Sequence, residues 1–133
     1  MSKHAFQAAM EERDHDAYVD LLSPGAELHS PVLHLPFVGR DTVAPLLGVL
    51  RDCFEDPVYT DELRAPGSLG LVFRARIAGL DAEGMQLLRF DDEDRIDDIT
   101  GLLRPIRASM ALSEAMGPRV VKLENRTYGL RDA

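Results

Sequence analysis

The apolar residues change period near Pro57, and that change restricts the chain to helices first and a sheet afterwards. Upstream, Phe6, Ala9, Met10 and Arg13 recur at helical spacing, predicting a helix over residues 3–13. Asp16 can cap a short second helix whose apolar side is Tyr18, Leu21 and Leu22. Ser23-Pro24-Gly25 reads as its stop. Residues 26–32 then read as a strand, with Leu28, Ser30 and Val32 on one face and Glu27, His29 and Pro31 on the other. A loop holding His34, Pro36, Phe37 and Gly39 leads to a third helix capped by Asp41 or Thr42. Its buried stripe is Val43, Leu46, Leu47, Leu50 and Phe54, with Pro45 in the first turn and Pro57 at the exit.

Downstream the pattern alternates. Strands are predicted over 58–64, 69–77, 85–90 and 95–104, separated by turns at Pro66-Gly67, Gly79 to Gly84 and Asp91 to Asp94. A last helix is predicted from Pro105 to Met116, closed by Gly117-Pro118. The fold class that follows is α+β: a cone-shaped, curved, mixed but mainly antiparallel sheet wrapped over the N-terminal helices, with a C-terminal helix. A chain of 133 residues is expected to form one domain, here 1–118, with 119–133 as a C-terminal arm or tail.

Charge narrows the partners. With 15 basic and 23 acidic residues the net is −8, which disfavours nucleic acid and anionic membrane. The chain has no tryptophan with which to stack bases. No apolar run approaches the roughly 18 residues of a spanning helix, and the first residues lack an apolar signal core. The single cysteine, Cys53, excludes an internal disulfide framework and a multi-cysteine zinc site. A cytoplasmic protein with no nucleic-acid or membrane partner is the expectation.

Three segments carry a resemblance. They are R-D-H-D-A-Y-V-D-L-L-S-P-G-A-E-L-H-S-P-V at 13–32, F-V-G-R-D-T-V at 37–43, and L-L-R-F-D-D-E-D-R-I-D-D-I at 87–99 followed by Arg104-Pro105. In this order and spacing the chain resembles the nuclear-transport-factor-2-like superfamily, particularly its SnoaL-like, polyketide-cyclase-like members. The resemblance implies a cone with a pocket at its wide end. It also implies a homodimer formed through the open face of the sheet, where Arg74, Arg76, Asp98, Thr100 and Leu102 fall. Function must be argued from the pocket, because this fold hosts isomerases, cyclases, hydrolases and plain association modules.

At the three positions that ketosteroid-isomerase-like members use, this chain has Phe6, Ser30 and Gln86. A phenyl ring, an unactivated hydroxyl and an amide cannot replace a phenol, a carboxylate base and a protonated acid. An epoxide-hydrolase-like Asp-Arg-Asp arrangement is not matched either, since Arg74, Arg76 and Arg89 alternate away from the cavity. The expected ligand-binding residues are Phe6, Met10, Ser30, Leu50, Phe73, Gln86, Leu88, Ile99, Gly101 and Leu103, which suit an apolar small molecule.

If the protein catalyses, acid–base chemistry by His34 and Tyr59 is expected, with Ser30 and Gln86 orienting an oxygen. His29 should point away from the cavity, and His4 and His15 should be solvated at helix ends. Two histidines five apart, His29 and His34, without matching carboxylates are a weak metal signal, since coordination needs more convergent ligands, so no metal and no cofactor is expected. Cys53 reads as an inert thiol, and Asn125-Arg126-Thr127 as a coincidental glycosylation tripeptide. The competing expectation is a noncatalytic binding or dimeric association module whose pocket is filled by its own side chains.

Overall fold

A computed structural model describes residues 3–128, with side chains up to Val121. Helices α1 (Ala5–Glu12), α2 (Ala17–Leu21) and α3 (Arg40–Asp52) come from the N-terminal half, together with strands β1 (Leu22–His29) and β2 (Phe37–Val38). The rest forms β3 (Glu55–Ala65), β4 (Ser68–Ile77), β5 (Leu80–Phe90), β6 (Ile96–Arg104) and α4 (Ile106–Tyr128). The strands make one sheet of order β2-β1-β6-β5-β4-β3, in which β1 runs parallel to β6 and the other neighbours are antiparallel. The expected α+β class with a mixed, mainly antiparallel sheet is what the molecule has.

Strand alternation sets the two faces. Leu69, Leu71, Phe73, Ala75 and Ile77 of β4 are buried, while Arg74 and Arg76 between them are exposed. Across β5 and β6, Leu88 pairs with Ile99 and both are fully buried. The helices cover this inner face and divide the core in two. One cluster centres on Phe6, Met10, Tyr18, Leu47, Leu71, Leu88 and Ile99. The other joins Phe54, Phe73, Ile77, Ala108 and Leu112. Leu50 and Tyr59 pack against both, so they sit at the seam.

Several boundaries differ from expectation, each for a local reason. The second helix ends at Leu21, ahead of Ser23-Pro24-Gly25 as expected, but the strand starts earlier than expected, so that segment lies inside β1. Leu22 pairs with Ile96 and Glu27 with Asp98, so the chain bulges between them, where a proline without an N–H is tolerated. β1 ends at His29, and Ser30 and Val32 belong to the following loop rather than to an inner strand face. The Ser30 hydroxyl instead accepts from the backbone N–H groups of Val32 and Leu33.

Gly39, not Asp41 or Thr42, precedes α3, which places Pro45 beyond the first turn. Pro57 lies within β3, tolerated because β3 is an edge strand. The Gly79–Gly84 turn is shorter than expected: Ile77 pairs with Leu80 around Ala78-Gly79, both at positive φ, as a two-residue hairpin requires. Gly117-Pro118 does not close α4. Val120, beyond that proline, still packs against the core, and this contact continues the helix past its sequence breaker. Residues 129–133, and the side chains of Asn125-Arg126-Thr127, lie outside the described residues. Among the described residues no helix is long and apolar enough to cross a membrane.

Candidate functional site

The seam between the two core clusters is where the sheet's curvature and the helices leave space. A cavity of about 20 Å³ lies there, touching Leu50, Phe54, Phe73, Gln86, Gly101 and Leu112 among its neighbours. That is room for about one water molecule. Phe73 forms its wall, its ring tilted against Phe54 at 5.0 Å and against Tyr59 at 6.1 Å between centroids. Gly84 permits this: a Cβ there would lie 2.8 Å from Phe73 Cζ and 2.5 Å from the Leu102 carbonyl oxygen.

Polarity at the cup floor is concentrated in one pair. Tyr59 reaches from β3 over β4 and donates its hydroxyl to Gln86 Oε1 of β5 at 2.6 Å. Gln86 is only 3% exposed. Its Nε2 faces a weak acceptor, Met10 Sδ, at 4.0 Å. Burial, the largest cause, pushes the Tyr59 hydroxyl well above the ordinary tyrosine range, so at neutral pH it is a hydrogen-bond donor and not a base. Tyr59 and Asp61, two apart in β3, would share a face in a regular strand, but a register shift between them turns Tyr59 inward opposite Phe73 and leaves Asp61 exposed opposite Val72.

Of the expected ligand residues, Leu50, Phe73, Gln86, Gly101 and Leu103 line the cavity. Phe6, Met10, Leu88 and Ile99 are packed into the first core cluster instead. Ser30 lies in the loop after β1, and His34 is exposed farther along that loop. Pro31, Phe54, Met85, Leu102 and Leu112 complete the lining. Leu112 was detectable only as one apolar position of the last helix. Pro31 touches the site because the chain turns after His29, which no periodicity reports.

The remaining histidines are engaged rather than solvated. His4 caps α1, its Nδ1 accepting from the Phe6 N–H at 3.0 Å, and its ring lies 5.3 Å from Phe90. His15 bridges the Tyr18 hydroxyl at 3.3 Å and Asp52 at 3.1 Å. Burial raises Tyr18 to about 12. His29 points outward, as its parity predicts, and meets Asp98. Burial also raises the Cys53 thiol, consistent with low reactivity. A wider depression of about 500 Å³ lies by Arg74, Glu83 and Arg104, but it is open and its charges pair with one another.

A mixed six-stranded sheet packed over helices around a small apolar hollow defines the α+β class of the protein. Solved structures of the same architecture place the chain more narrowly. A protein described as a steroid delta-isomerase from Pseudomonas aeruginosa is 33% identical, with a TM-score of 0.84 over 88% of this chain and 87% of that one. An uncharacterised protein with a cystatin-like fold from Silicibacter pomeroyi DSS-3 is 27% identical, with a TM-score of 0.84 over 95% of this chain and 92% of that one. An NTF2-like protein of unknown function from Cytophaga hutchinsonii shares the fold at 13% identity, with a TM-score of 0.63 over 77% and 86% of the two chains. No protein-family model and no curated protein matches the sequence. The chain belongs to the nuclear-transport-factor-2-like superfamily, which includes the SnoaL-like proteins.

Proposed function

We propose that the protein binds an apolar small molecule carrying one acceptor oxygen, held under the sheet beside Gln86. The observation that carries this reading is the Gln86 carboxamide. Its Oε1 is occupied by Tyr59, while its Nε2 points at a thioether that accepts poorly. A ligand carbonyl or hydroxyl would be a better partner than sulfur for a buried N–H. The apolar walls supplied by Leu50, Phe54 and Phe73 suit the rest of such a molecule.

Entry requires those side chains to move apart, because drug-sized ligands occupy roughly 300–1,000 Å³. Steroid isomerisation is not carried over, since Phe6, Ser30 and Gln86 offer neither the phenol nor the carboxyl groups that chemistry uses. Should the ligand react, Tyr59 would have to release Gln86 to donate its hydroxyl to it, and His34 would have to swing in from the loop to serve as base.

Native mass spectrometry of the purified protein is expected to show a retained small molecule. Tyrosine fluorescence, unobscured because tryptophan is absent, is expected to respond to apolar ketones in the native chain and not in Gln86→Leu. A bare mass with no fluorescence response to any ketone would remove the proposal.

The cavity volume favours a second reading, an association module with a filled cup. Leu63, Leu102 and Val58 are exposed on the outer sheet face beside Val72 and Met85, and a second copy would cover them in a two-fold dimer. Sedimentation is expected to give a dimer that Leu102→Glu converts to a monomer. A native monomer at micromolar concentration would end this part of the proposal.

A further inference from the structure

Glu27 and His29 lie two residues apart on β1, so they project from the same face of the sheet. Parallel pairing with β6 sets Glu27 directly beside Asp98. The three side chains converge on the outer face, far in sequence but close in space. His29 Nε2 lies 2.8 Å from Asp98 Oδ2 and 3.7 Å from Glu27 Oε1. One ligand atom from each of the three falls within 4.8 Å of the others. Zinc-like ions hold imidazole nitrogen and carboxylate oxygen at about 2.0–2.2 Å, which spaces neighbouring ligand atoms roughly 3–3.5 Å apart. The observed separations bracket that spacing.

The surroundings orient the cluster. Thr100 Oγ1 donates to Asp98 Oδ1 at 3.1 Å, and Arg89 approaches the same oxygen at 3.4 Å. Both contacts take Oδ1 and leave Oδ2 turned toward His29, as outer partners do for a ligating carboxylate. The charge balance also leaves a place for a cation. Two carboxylates face one guanidinium, and His29 Nε2 lies within reach of an oxygen from each. All three side chains are partly exposed, so water could complete the coordination of an ion entering from solvent.

We propose that Glu27, His29 and Asp98 form a binding site for one divalent transition-metal ion of the zinc and cobalt class. The ion takes the lone pair of His29 Nε2, with the neutral ring carrying its proton on Nδ1, and one oxygen from each carboxylate, and completes its shell with water. The site is on the opposite face of the sheet from the Tyr59–Gln86 pair, and does not depend on what the cup binds. Its effect would be to clamp β1 to β6 at the one parallel seam of the sheet.

The test titrates the full chain with zinc chloride by calorimetry, and with cobalt chloride by visible absorption. The expected result is one ion per chain, counted per chain so that it reads alike in a monomer or a dimer. Imidazole coordination should appear as a cobalt spectrum absent from His29→Ala, and a higher melting temperature should accompany zinc. His29→Ala and Asp98→Asn should each weaken zinc binding at least about tenfold, the smallest loss typical even of outer-shell changes. His34→Ala should not change it. Glu27→Gln retains the His29–Asp98 contact and tests the site should the other variants unfold; it too must weaken binding. Absence of saturable binding by the native chain would overturn the proposal. So would equal affinity in native protein, Glu27→Gln and His29→Ala, which would place the ion elsewhere.

Discussion

Arg51 Nε donates to the Met10 carbonyl oxygen at 2.5 Å, tying the last turn of α3 to the end of α1. Its Nη1 also donates to the Phe54 carbonyl at 3.1 Å, although the residue is only 7% exposed. Burial, the largest cause, lowers its pKa, but an arginine so placed remains charged. This one cation therefore holds the helix pair over the sheet through backbone acceptors. Arg51→Leu is expected to lose about 2–4 kcal/mol in urea unfolding, because both carbonyls lose a charged donor. Arg51→Lys should recover little of it, since an ammonium cannot reproduce the planar fork. Native stability in Arg51→Leu would contradict this account.

The Tyr59–Gln86 bond predicts coupled mutations. Tyr59→Phe leaves the Gln86 oxygen buried without its donor and should cost about 1–3 kcal/mol. Combining it with Gln86→Leu should cost less than the two single changes added, by roughly 1 kcal/mol. Strict additivity in a double-mutant cycle would mean the bond contributes nothing. Tyr59 also sets an alkaline limit. Its folded pKa is raised, so its contribution is complete below the unfolded value of about 10 and is lost as pH rises from there through the folded value. Tyr59→Phe should therefore show a shallower loss of stability above that pH.

His4 predicts a slope of the opposite sense at mild acid. Burial, then the nearby Arg64 charge, lowers its pKa from 6.5, with Glu62 opposing. The folded state thus binds fewer protons than the unfolded one, and stability falls as pH drops from 6.5 through the lower folded value. The geometry agrees, because a protonated Nδ1 cannot accept from the Phe6 N–H. His4→Ser keeps a neutral cap and should flatten the slope between pH 7 and pH 5, two values about the unperturbed histidine pKa. An unchanged slope in that variant would assign the effect to other groups.

Gly84 predicts a steric penalty at ordinary backbone geometry. Its Cβ would meet the Leu102 carbonyl at 2.5 Å and the Phe73 ring at 2.8 Å. Gly84→Ala should destabilise by about 1–3 kcal/mol and displace Phe73. Thermal unfolding would read the first effect, and aromatic proton shifts of Phe73 the second. A tolerated alanine with an unmoved ring would show that the sheet relaxes there without strain.

Local patterns made much of the fold legible. The alternation from Leu69 to Ile77 named the buried face of β4, and the spacing of Val43, Leu46 and Leu47 named the buried stripe of α3. The parity of Leu28 also placed His29 outside. Breaker residues were the weak signals. The second helix does end before Pro24, yet the proline sits in a bulged stretch of β1 rather than in a turn, and Pro118 sits inside α4 instead of ending it. At Pro118 packing supplied what the local chemistry withheld.

The candidate sites were less legible. Tyr59 and Gln86 could each be selected as residues with a polar handle, but not as partners, because they meet across an intervening strand. His29 has one carboxylate nearby in sequence, Glu27, and only parallel pairing with β6 brought the second, Asp98, to it across 69 residues. Periodicity is a property of neighbours along the chain, so it determined the elements and most of their apolar faces. Register shifts and strand order act between distant segments. They alone decided that the cup is nearly closed, which polar groups meet at its floor, and where the outer cluster of Glu27, His29 and Asp98 forms.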